Sequence, residues 1–246
     1  MIISQHNNQE NGLPGTGRYF ALLERLRTAE KRFGRPAGSV CLVAVSKTRS
    51  AEAIRKITAL NQKDFGENQV QEALGKIAEL ADLDCVWHFI GSIQTNKCRD
   101  IAGRFDWVHS VDRFKVATRL SNLRPATATP LNILLQVNLR GESTKSGIAP
   151  NALYTLASSV SELPGLRLRG LMAIPAPEPN LSLQREAFSQ LRKLQARLNQ
   201  KLDLQLDCLS MGMTGDLEAA VAEGATHVRV GTAIFGSRNT TYKQGR

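Results

Sequence analysis

The strongest constraint on the fold is a repeated alternation of short apolar runs with amphipathic helical segments, which begins near residue 40. The runs are rich in β-branched and other apolar residues, as expected of buried parallel strands. Eight run-and-helix units follow one another, and their strand segments are VCLVAVS (40–46), KDFGE (63–67), CVWHFIG (85–91), WVHSVD (107–112), NILLQVNL (132–139), LRLRGLMAI (166–174), LDCLSMG (206–212) and HVRVG (227–231). Strands that alternate with helices in this way predict an α/β protein with a parallel sheet.

Eight units in roughly 200 residues predict a single (β/α)8 TIM barrel, with an open doubly wound sheet as the alternative. No GxGxxG motif follows the first strand, which disfavours the dinucleotide-binding form of the open sheet. Helical spacing from Phe20 that stops before Pro36 predicts an extra N-terminal helix. We therefore expect a flexible extension over residues 1–17, one barrel domain over 18–240 and a tail over 241–246.

Composition argues against several classes of protein. The chain has 246 residues, 42% of them hydrophobic, which is enough for one large core. It has neither a signal-like start nor a run approaching the roughly 18 apolar residues of a membrane span, so we expect a soluble, cytoplasmic protein without a membrane partner. The net charge of +10 invites a nucleic-acid interpretation, but the basic residues are dispersed and aromatics are only 5%, so no specific nucleic-acid partner is expected.

The cysteines and histidines do not form a recognisable metal motif. The four cysteines lack CxxC spacing and lie mostly in strand-like runs, which predicts reduced, mostly buried thiols. The four histidines show no HExxH pattern. We expect no bound metal.

Lys47 follows the apolar run 40–46, where strand alternation places it on the same side as Val43 and Val45. Desolvation at such a strand end disfavours the charged amine, which suits nucleophilic Schiff-base chemistry. The alternative is a lysine that simply emerges from the strand into water. In a barrel the carboxyl ends of all the strands surround one mouth. Residues at the other strand ends therefore help to decide whether Lys47 forms a Schiff base or simply extends into water.

The seventh and eighth strands end in turns that contain glycines and hydroxyls, SMGMTGD (210–216) and RVGTAIFG (229–236). The loops after these two strands form the usual phosphate site of such a barrel, because glycines let backbone N–H groups approach an anion. Ser210, Gly212, Gly231 and Thr232 are therefore candidate phosphate-binding residues. A Gly-Thr pair alone is also an ordinary helix start.

Arg229 alternates with Gly231 on the predicted inner face of the eighth strand, where a guanidinium needs a partner. One candidate partner is the ring nitrogen of a pyridine held between Lys47 and the phosphate turn. The other is an interior carboxylate such as Glu67 or Asp207.

Several ordered segments carry a family resemblance, namely AVSKTRS, FGENQVQEALGKI, WHFIGSIQTNK, FDWVHSVDR, NLRGESTKSG, LRGLMAIPAPE, LSMGMTGD and VRVGTAIFGSR. Over about residues 38–238 the chain resembles the pyridoxal phosphate homeostasis protein family, and the match is specific because many segments recur in order. Thr214 stands where the family frequently has serine. The segment 1–17 has no counterpart in the pattern.

This resemblance implies a barrel similar to the N-terminal domain of alanine racemase that binds pyridoxal 5′-phosphate as an imine. It also implies intracellular vitamin B6 homeostasis, by buffering or delivery of the cofactor, without an established catalytic reaction. The expected partners are apo-forms of pyridoxal phosphate-dependent enzymes, and the expected state is a monomer. Carried over by position, the cofactor-binding residues are Lys47 as the imine lysine, Asn68 as a ring-side contact, Arg229 near the ring nitrogen, Ser210, Gly231 and Thr232 at the phosphate, and Gly212 in the same turn.

Two kinds of enzyme remain as alternatives. One is an amino-acid racemase that uses the same imine, and the other is a barrel enzyme whose phosphorylated substrate forms the imine with Lys47. Two-base racemisation needs a second proton-transfer group opposite Lys47. The resemblance implies that in alanine racemase this group is a tyrosine from an additional domain of the partner subunit. Here Tyr19, Tyr154 and Tyr242 all fall outside the predicted strand ends.

Five further side chains are left out of the site. His88, His109 and His227 lie in apolar strands, so we expect hydrogen-bonded structural histidines. Glu67 and Lys145 are mouth-facing candidates without an assigned role. We expect no catalytic residue.

Overall fold

Eight parallel strands close into a barrel in chain order, with β1 pairing β8. The strands of this computed structural model, which describes residues 16–142 and 146–236, are β1 Cys41–Val45, β2 Asp64–Glu67, β3 Val86–Phe89, β4 Trp107–Val111, β5 Leu131–Gln136, β6 Leu166–Met172, β7 Cys208–Ser210 and β8 His227–Val230. Each observed strand lies within its predicted segment except β5, which begins at Leu131, one residue before the predicted run 132–139. The predicted (β/α)8 barrel is confirmed, and the open sheet is excluded because β1 and β8 are hydrogen-bonded neighbours.

The helices of the described residues follow the predicted order: α1 Thr16–Arg32, α2 Ala51–Thr58, α3 Val70–Glu79, α4 Cys98–Arg104, α5 Phe114–Leu123, α6 Leu153–Ser161, α7 Leu181–Leu202, α8 Leu217–Ala222 and α9 Thr232–Phe235. The extra N-terminal helix is confirmed as α1. Residues 1–15 of the predicted extension, and the predicted tail 241–246, lie outside the described residues. Thr16 and Gly17 are the first residues of α1, so the helix begins before residue 18.

The apolar side chains form two separate clusters. The large cluster lies between the strands and the surrounding helices and includes Phe65, Leu120 and Val228. The small one consists of Leu134, Met172 and Cys208, with Trp107 packed against it. Barrel interiors of this class are usually filled by layers of branched apolar side chains. The small cluster leaves room for the buried polar groups described below.

Helix α1 covers the junction between the last helices and the first strand, since it packs against α8 and α9. Arg25 forms a bidentate pair with Glu218 and donates to the carbonyl oxygen of Thr214 at 2.8 Å. Glu30 is buried and accepts from the backbone N–H groups of Gly38 and Val40. Because Val40 precedes β1, these contacts fix the chain where the barrel closes.

Two negative findings concern only the described ranges 16–142 and 146–236. No helix in them combines the length and hydrophobicity needed to cross a bilayer. No three His, Cys, Asp or Glu side chains in them gather as metal ligands would. The four thiols are free, and burial raises the pKa of Cys208 to about 12.

Candidate functional site

Lys47 lies one residue beyond Ser46 in the turn that follows β1 and is half-buried. The peptide groups on both sides of it are held by α3. Lys76 donates to the Ser46 carbonyl oxygen at 2.8 Å, and the N–H of Thr48 donates to Glu72 Oε1 at 2.6 Å. Thr48 has a φ of 64°, a left-handed conformation that a β-branched residue rarely adopts. The turn is thus fixed by its contacts rather than by local preference.

We call Glu67, Glu72 and Lys76 the Lys47 clamp. Lys76 is 6% exposed and also donates to Glu67 Oε1 at 2.8 Å and to Glu72 Oε1 at 2.5 Å. Glu67 is fully buried, accepts from the Ser46 hydroxyl, and its Oε2 has no hydrogen-bond partner. Burial raises the pKa of Glu67. The prediction that Glu67 faces the mouth is wrong, because its partner Lys76 lies on α3, outside the barrel.

Arg229 points into the barrel as predicted and is 4% exposed. It donates to Ser210 Oγ at 2.6 Å and to the Ala173 carbonyl oxygen at 3.0 Å. Burial lowers its pKa to about 10. The interior-carboxylate alternative is wrong for both candidates, because Glu67 pairs with Lys76 while Asp207 pairs with Arg169 at 2.6 Å. None of the described carboxylates forms a direct ion pair with Arg229, although Asp216 attracts the guanidinium electrostatically.

Ser210, the last residue of β7, is fully buried and connects Arg229 to a line of polar groups through the barrel. Its Oγ lies 2.8 Å from His109 Nδ1, and His109 Nε2 lies 2.9 Å from His88 Nδ1. His88 Nε2 in turn lies 3.0 Å from Asp64 Oδ1 at the start of β2. We call Arg229, Ser210, His109, His88 and Asp64 the interior chain.

The prediction of hydrogen-bonded structural histidines is confirmed for His88, His109 and His227. His227 stands beside the interior chain and bonds Thr226 Oγ1 through Nδ1 at 2.9 Å. Burial, together with the neighbouring histidines, holds the pKa of His109 well below its usual range. Burial lowers the pKa of His227 to about 3. Both rings are therefore neutral at physiological pH.

The glycine turns after β7 and β8 leave no space for side chains. A Cβ on Gly231 would lie 3.0 Å from the Val45 carbonyl oxygen, and one on Gly212, at a φ of 94°, would lie 2.4 Å from Ala220 Cβ. Thr232 is exposed and begins the short helix α9. The backbone at Gly231 consequently lies directly against β1, two residues before Lys47.

Asn68 follows β2 and lines a cleft of about 310 Å³ together with Ser92, Gln94 and Lys97. Gly91 lies against it, since a Cβ there would be 2.1 Å from the Asn68 carbonyl oxygen. A larger cavity of about 380 Å³ lies between the ends of β5 and β6 and α7. It adjoins the site through Ala173, the carbonyl partner of Arg229, but the predicted cofactor-binding residues do not line it. The predicted candidate Lys145 lies outside the described residues.

The sequence prediction missed Asp64 and the role of Lys76. The inward positions of His88 and His109 follow from strand alternation, and three histidines on inward faces were a usable signal. Nothing in the local pattern singled out Lys76, because a lysine on an amphipathic helix is ordinarily solvated. The structure joins predicted residues directly by two hydrogen bonds: Arg229 Nη1 donates to Ser210 Oγ, and the backbone N–H of Arg229 donates to the Gly212 carbonyl oxygen at 2.9 Å.

The site thus combines a half-buried amine with a buried guanidinium that forms no direct ion pair with a described carboxylate. An amine is a nucleophile toward carbonyl carbon, and a buried cation without a directly bonded carboxylate favours an anionic or electron-pair-donating ligand. Glycines allow such a ligand to approach the backbone closely.

Comparisons with known proteins agree with this geometry. Residues 19–239 match the family model of the alanine racemase N-terminal domain. The chain is 58% identical over 215 residues to the pyridoxal phosphate homeostasis protein of Pseudomonas aeruginosa, covering 87% of this chain and 92% of that one. It is 47% identical to the protein of the same name from Escherichia coli, covering 89% and 95%.

Solved structures show the same barrel. PipY of Synechococcus elongatus, solved with PLP bound, is 41% identical with a TM-score of 0.78, and the match covers 87% of this chain and all of that one. Alanine racemase from Corynebacterium glutamicum has a TM-score of 0.62 at 18% identity, covering 92% of this chain and 63% of that one, which shows the fold alone. By the extent and identity of these matches, the chain belongs to the pyridoxal phosphate homeostasis protein family.

Proposed function

We propose that this protein binds pyridoxal 5′-phosphate covalently through Lys47 and acts in vitamin B6 homeostasis by holding and releasing the cofactor. The observation that carries the proposal is the combination of the fixed Lys47 turn with a buried Arg229 that forms no direct ion pair with a described carboxylate. The bound PLP in the related PipY structure supports the choice of ligand. When bound, the cofactor supplies an aldehyde that condenses with a primary amine.

The chain's own residues divide the work of binding. The Lys47 amine is the nucleophile, and the clamp on α3 fixes the turn that carries it. Ser210, Gly231 and Thr232 hold the phosphate, with Gly212 allowing the turn to approach, and Asn68 contacts the ring side. Arg229 faces the ring nitrogen as a permanent donor, because its pKa of about 10 keeps it charged at neutral pH. A positive group at that place disfavours protonation of the ring nitrogen.

Racemase activity is the second candidate, and the described tyrosines argue against it. Two-base proton transfer needs an acid-base group on the face opposite Lys47. Tyr19 is buried in α1 and its hydroxyl bonds Gln62, while Tyr154 lies exposed on α6. Neither described tyrosine is at the carboxyl end of a strand. We propose a monomeric carrier without a catalytic residue, which delivers its cofactor to apo-forms of pyridoxal phosphate-dependent enzymes.

Borohydride trapping tests the proposal. The protein is incubated with pyridoxal 5′-phosphate, reduced, digested and mapped by mass spectrometry, with Lys47→Ala and Lys97→Ala variants in parallel. We expect the pyridoxyl group on Lys47 in the wild type and in the Lys97 variant, and none in the Lys47 variant. Lys97 is the matched control because it lines the cleft next to Asn68. A label on another lysine that survives Lys47→Ala would refute the assignment.

A further inference from the structure

A shallow groove runs along the outside of the barrel, between α7 and the segment that leads into α6. It consists of two adjoining clefts of about 210 and 200 Å³, and Pro150, Leu194 and Arg197 line both of them. Toward the mouth this α6–α7 groove meets the cavity of about 380 Å³ beside the site, since Leu139 and Gln190 line the groove and the cavity alike. A molecule bound in the groove would therefore lie next to the entrance of the barrel.

The two walls of the α6–α7 groove differ in chemistry. The α7 wall carries the exposed cations Lys193, Arg197 and Lys201, which recur every four residues on one helix face and which we call the basic row. The opposite wall presents the ring of Tyr154, which is 45% exposed, and the floor includes the buried Leu198. At the end away from the mouth, Lys201 Nζ lies 5.9 Å from the centroid of the Tyr154 ring. Carboxylates are absent from the described lining of the groove.

The basic row lacks the carboxylate partners that other cations of α7 have. Arg185 and Arg192, on another face of the helix, both pair with Glu223. No acidic side chain that the structure describes forms an ion pair with a member of the row. Like charges four residues apart on a helix repel each other, and the helix dipole favours only Lys201, which lies in the last turn. An anion bound along the row would relieve this repulsion.

The spacing of the basic row matches an extended peptide. A helix rises about 1.5 Å per residue, so successive cations lie about 6 Å apart along its axis and the row spans about 12 Å. An extended chain rises about 3.3 Å per residue and directs alternate side chains to opposite sides, so every second side chain recurs at about 6.6 Å. Acidic residues at alternate positions could therefore face all three cations, while the residues between them face the Tyr154 wall.

We propose that the α6–α7 groove binds an extended acidic segment of a partner protein, in which acidic residues alternate with apolar ones. The acidic side chains pair with the basic row, and the apolar ones pack against Tyr154 and Leu198. The net charge of +10 speeds the approach of such a partner. Docking does not require the proposed function, which gives it a use, because a partner held in the groove lies beside the mouth from which the cofactor would leave.

A single strand of nucleic acid fits the groove less well. Sites for single strands usually combine a basic channel with several aromatic rings on which successive bases stack. Tyr154 is the one aromatic residue in the described lining of the groove. The apolar floor and the lone ring favour interleaved aliphatic side chains over a series of bases.

Fluorescence anisotropy with synthetic peptides tests the proposal on the full chain. The probe is a labelled peptide of alternating aspartate and leucine, and the comparison peptide has the same composition with its aspartates grouped at one end. Titrations are run at ionic strengths of about 0.01 and 0.15 M, between which the screening length falls from about 30 to about 8 Å. We expect the alternating peptide to bind several-fold more tightly than the grouped one, and its affinity to fall as salt rises.

Two variants locate the binding. The row variant combines Lys193→Gln, Arg197→Gln and Lys201→Gln. Each exposed ion pair contributes a factor of about two to five in affinity, so the row variant should bind the alternating peptide about tenfold more weakly or worse. Tyr154→Ala should weaken the alternating peptide several-fold, because it removes the ring against which the leucines pack. All four side chains are exposed, so both variants should fold.

The matched control removes the same charge from another face of the barrel. It combines Arg99→Gln, Lys115→Gln and Arg119→Gln, which are exposed cations on α4 and α5. Its net charge equals that of the row variant, so the long-range attraction for an acidic peptide is reduced equally in both. We expect the control variant to keep an affinity close to that of the wild type.

The outcomes are distinct. Equal binding of the alternating and grouped peptides, or equal losses in the row and control variants, would assign binding to general positive charge and overturn the proposal. Failure of the alternating peptide to bind the wild type at low salt would also overturn it. Tighter binding of oligouridylate that is lost in the row variant would assign the groove to nucleic acid instead. Failure of the Lys47 adduct to form would overturn the proposed function and leave docking intact.

Discussion

Replacing Lys76 with methionine isolates the energetic contribution of the Lys47 clamp. Methionine keeps most of the side-chain volume but removes the charge that compensates Glu67, which is fully buried. Removing one partner of a buried ion pair costs about 3–5 kcal/mol, because the other charge stays desolvated. Glu67 retains its Ser46 hydrogen bond and can take up a proton, so we expect the lower value, about 3 kcal/mol. For a domain of this size that lowers Tm by about 6–12 °C.

The pH dependence of this loss identifies its cause. Burial already raises the pKa of Glu67, and removing Lys76 raises it further. A carboxyl whose pKa is higher in the folded state than in the unfolded state favours folding most at pH values below its unfolded pKa of about 4.3. This contribution to stability is lost as the pH rises through the pKa of the folded state. The deficit of Lys76→Met should therefore be smallest in mild acid and grow toward neutral pH. Adding Glu67→Gln should recover much of it.

Thermal unfolding followed by circular dichroism between mild acid and neutral pH is the assay. The control is Lys56→Met on α2, whose partner Glu52 is exposed, and its Tm should be nearly unchanged. A deficit below about 1 kcal/mol, or one of equal size at all pH values, would refute the argument that Lys76 compensates a buried charge.

Three further predictions concern the mouth. Gly231→Val should weaken pyridoxal 5′-phosphate binding far more than pyridoxal binding, since the new side chain would crowd the Val45 carbonyl oxygen; equal losses in fluorescence titrations would make Gly231 a folding residue only. Gly212→Ala should destabilise the fold by about 1–3 kcal/mol in urea unfolding, because Ala220 blocks its Cβ and its φ is positive; unchanged stability would contradict this. Incubation with L-alanine in deuterated water should give no Lys47-dependent deuteration by mass spectrometry, whereas rapid exchange would favour the racemase.

Most of the architecture could be predicted from the sequence because it depends on local periodicity. Eight apolar runs in the sequence predict eight strands, but each hydrogen-bonded strand in the structure is shorter than the apolar run that predicts it. The seventh run, 206–212, contributes only the three-residue strand Cys208–Ser210, although Met211 and Gly212 still form backbone hydrogen bonds with β8. Local propensity does not reveal where a neighbouring strand stops pairing.

The sequence predicted those site residues that stand at the carboxyl ends of strands, such as Lys47, Ser210 and Arg229. It did not predict the hydrogen bonds and ion pairs that hold these residues in place. Asp64 and Ser210 lie 146 positions apart in the sequence and meet through two histidines only because of the stagger of the barrel strands. The partner of Arg229 proved to be a hydroxyl and a carbonyl rather than a carboxylate, which no spacing argument distinguishes.

The position of α1 also has a consequence for biosynthesis. The helix has a buried face that includes Leu22 and Leu26, and two of the helices that pack against it, α8 and α9, follow it in the sequence only after seven strands or more. Since chains are synthesised from the amino terminus, part of this apolar face stays uncovered until α8 and α9 have been made. Nascent chains that stall before α8 should therefore expose this face to chaperones, and synthesis of α8 and α9 should end that exposure.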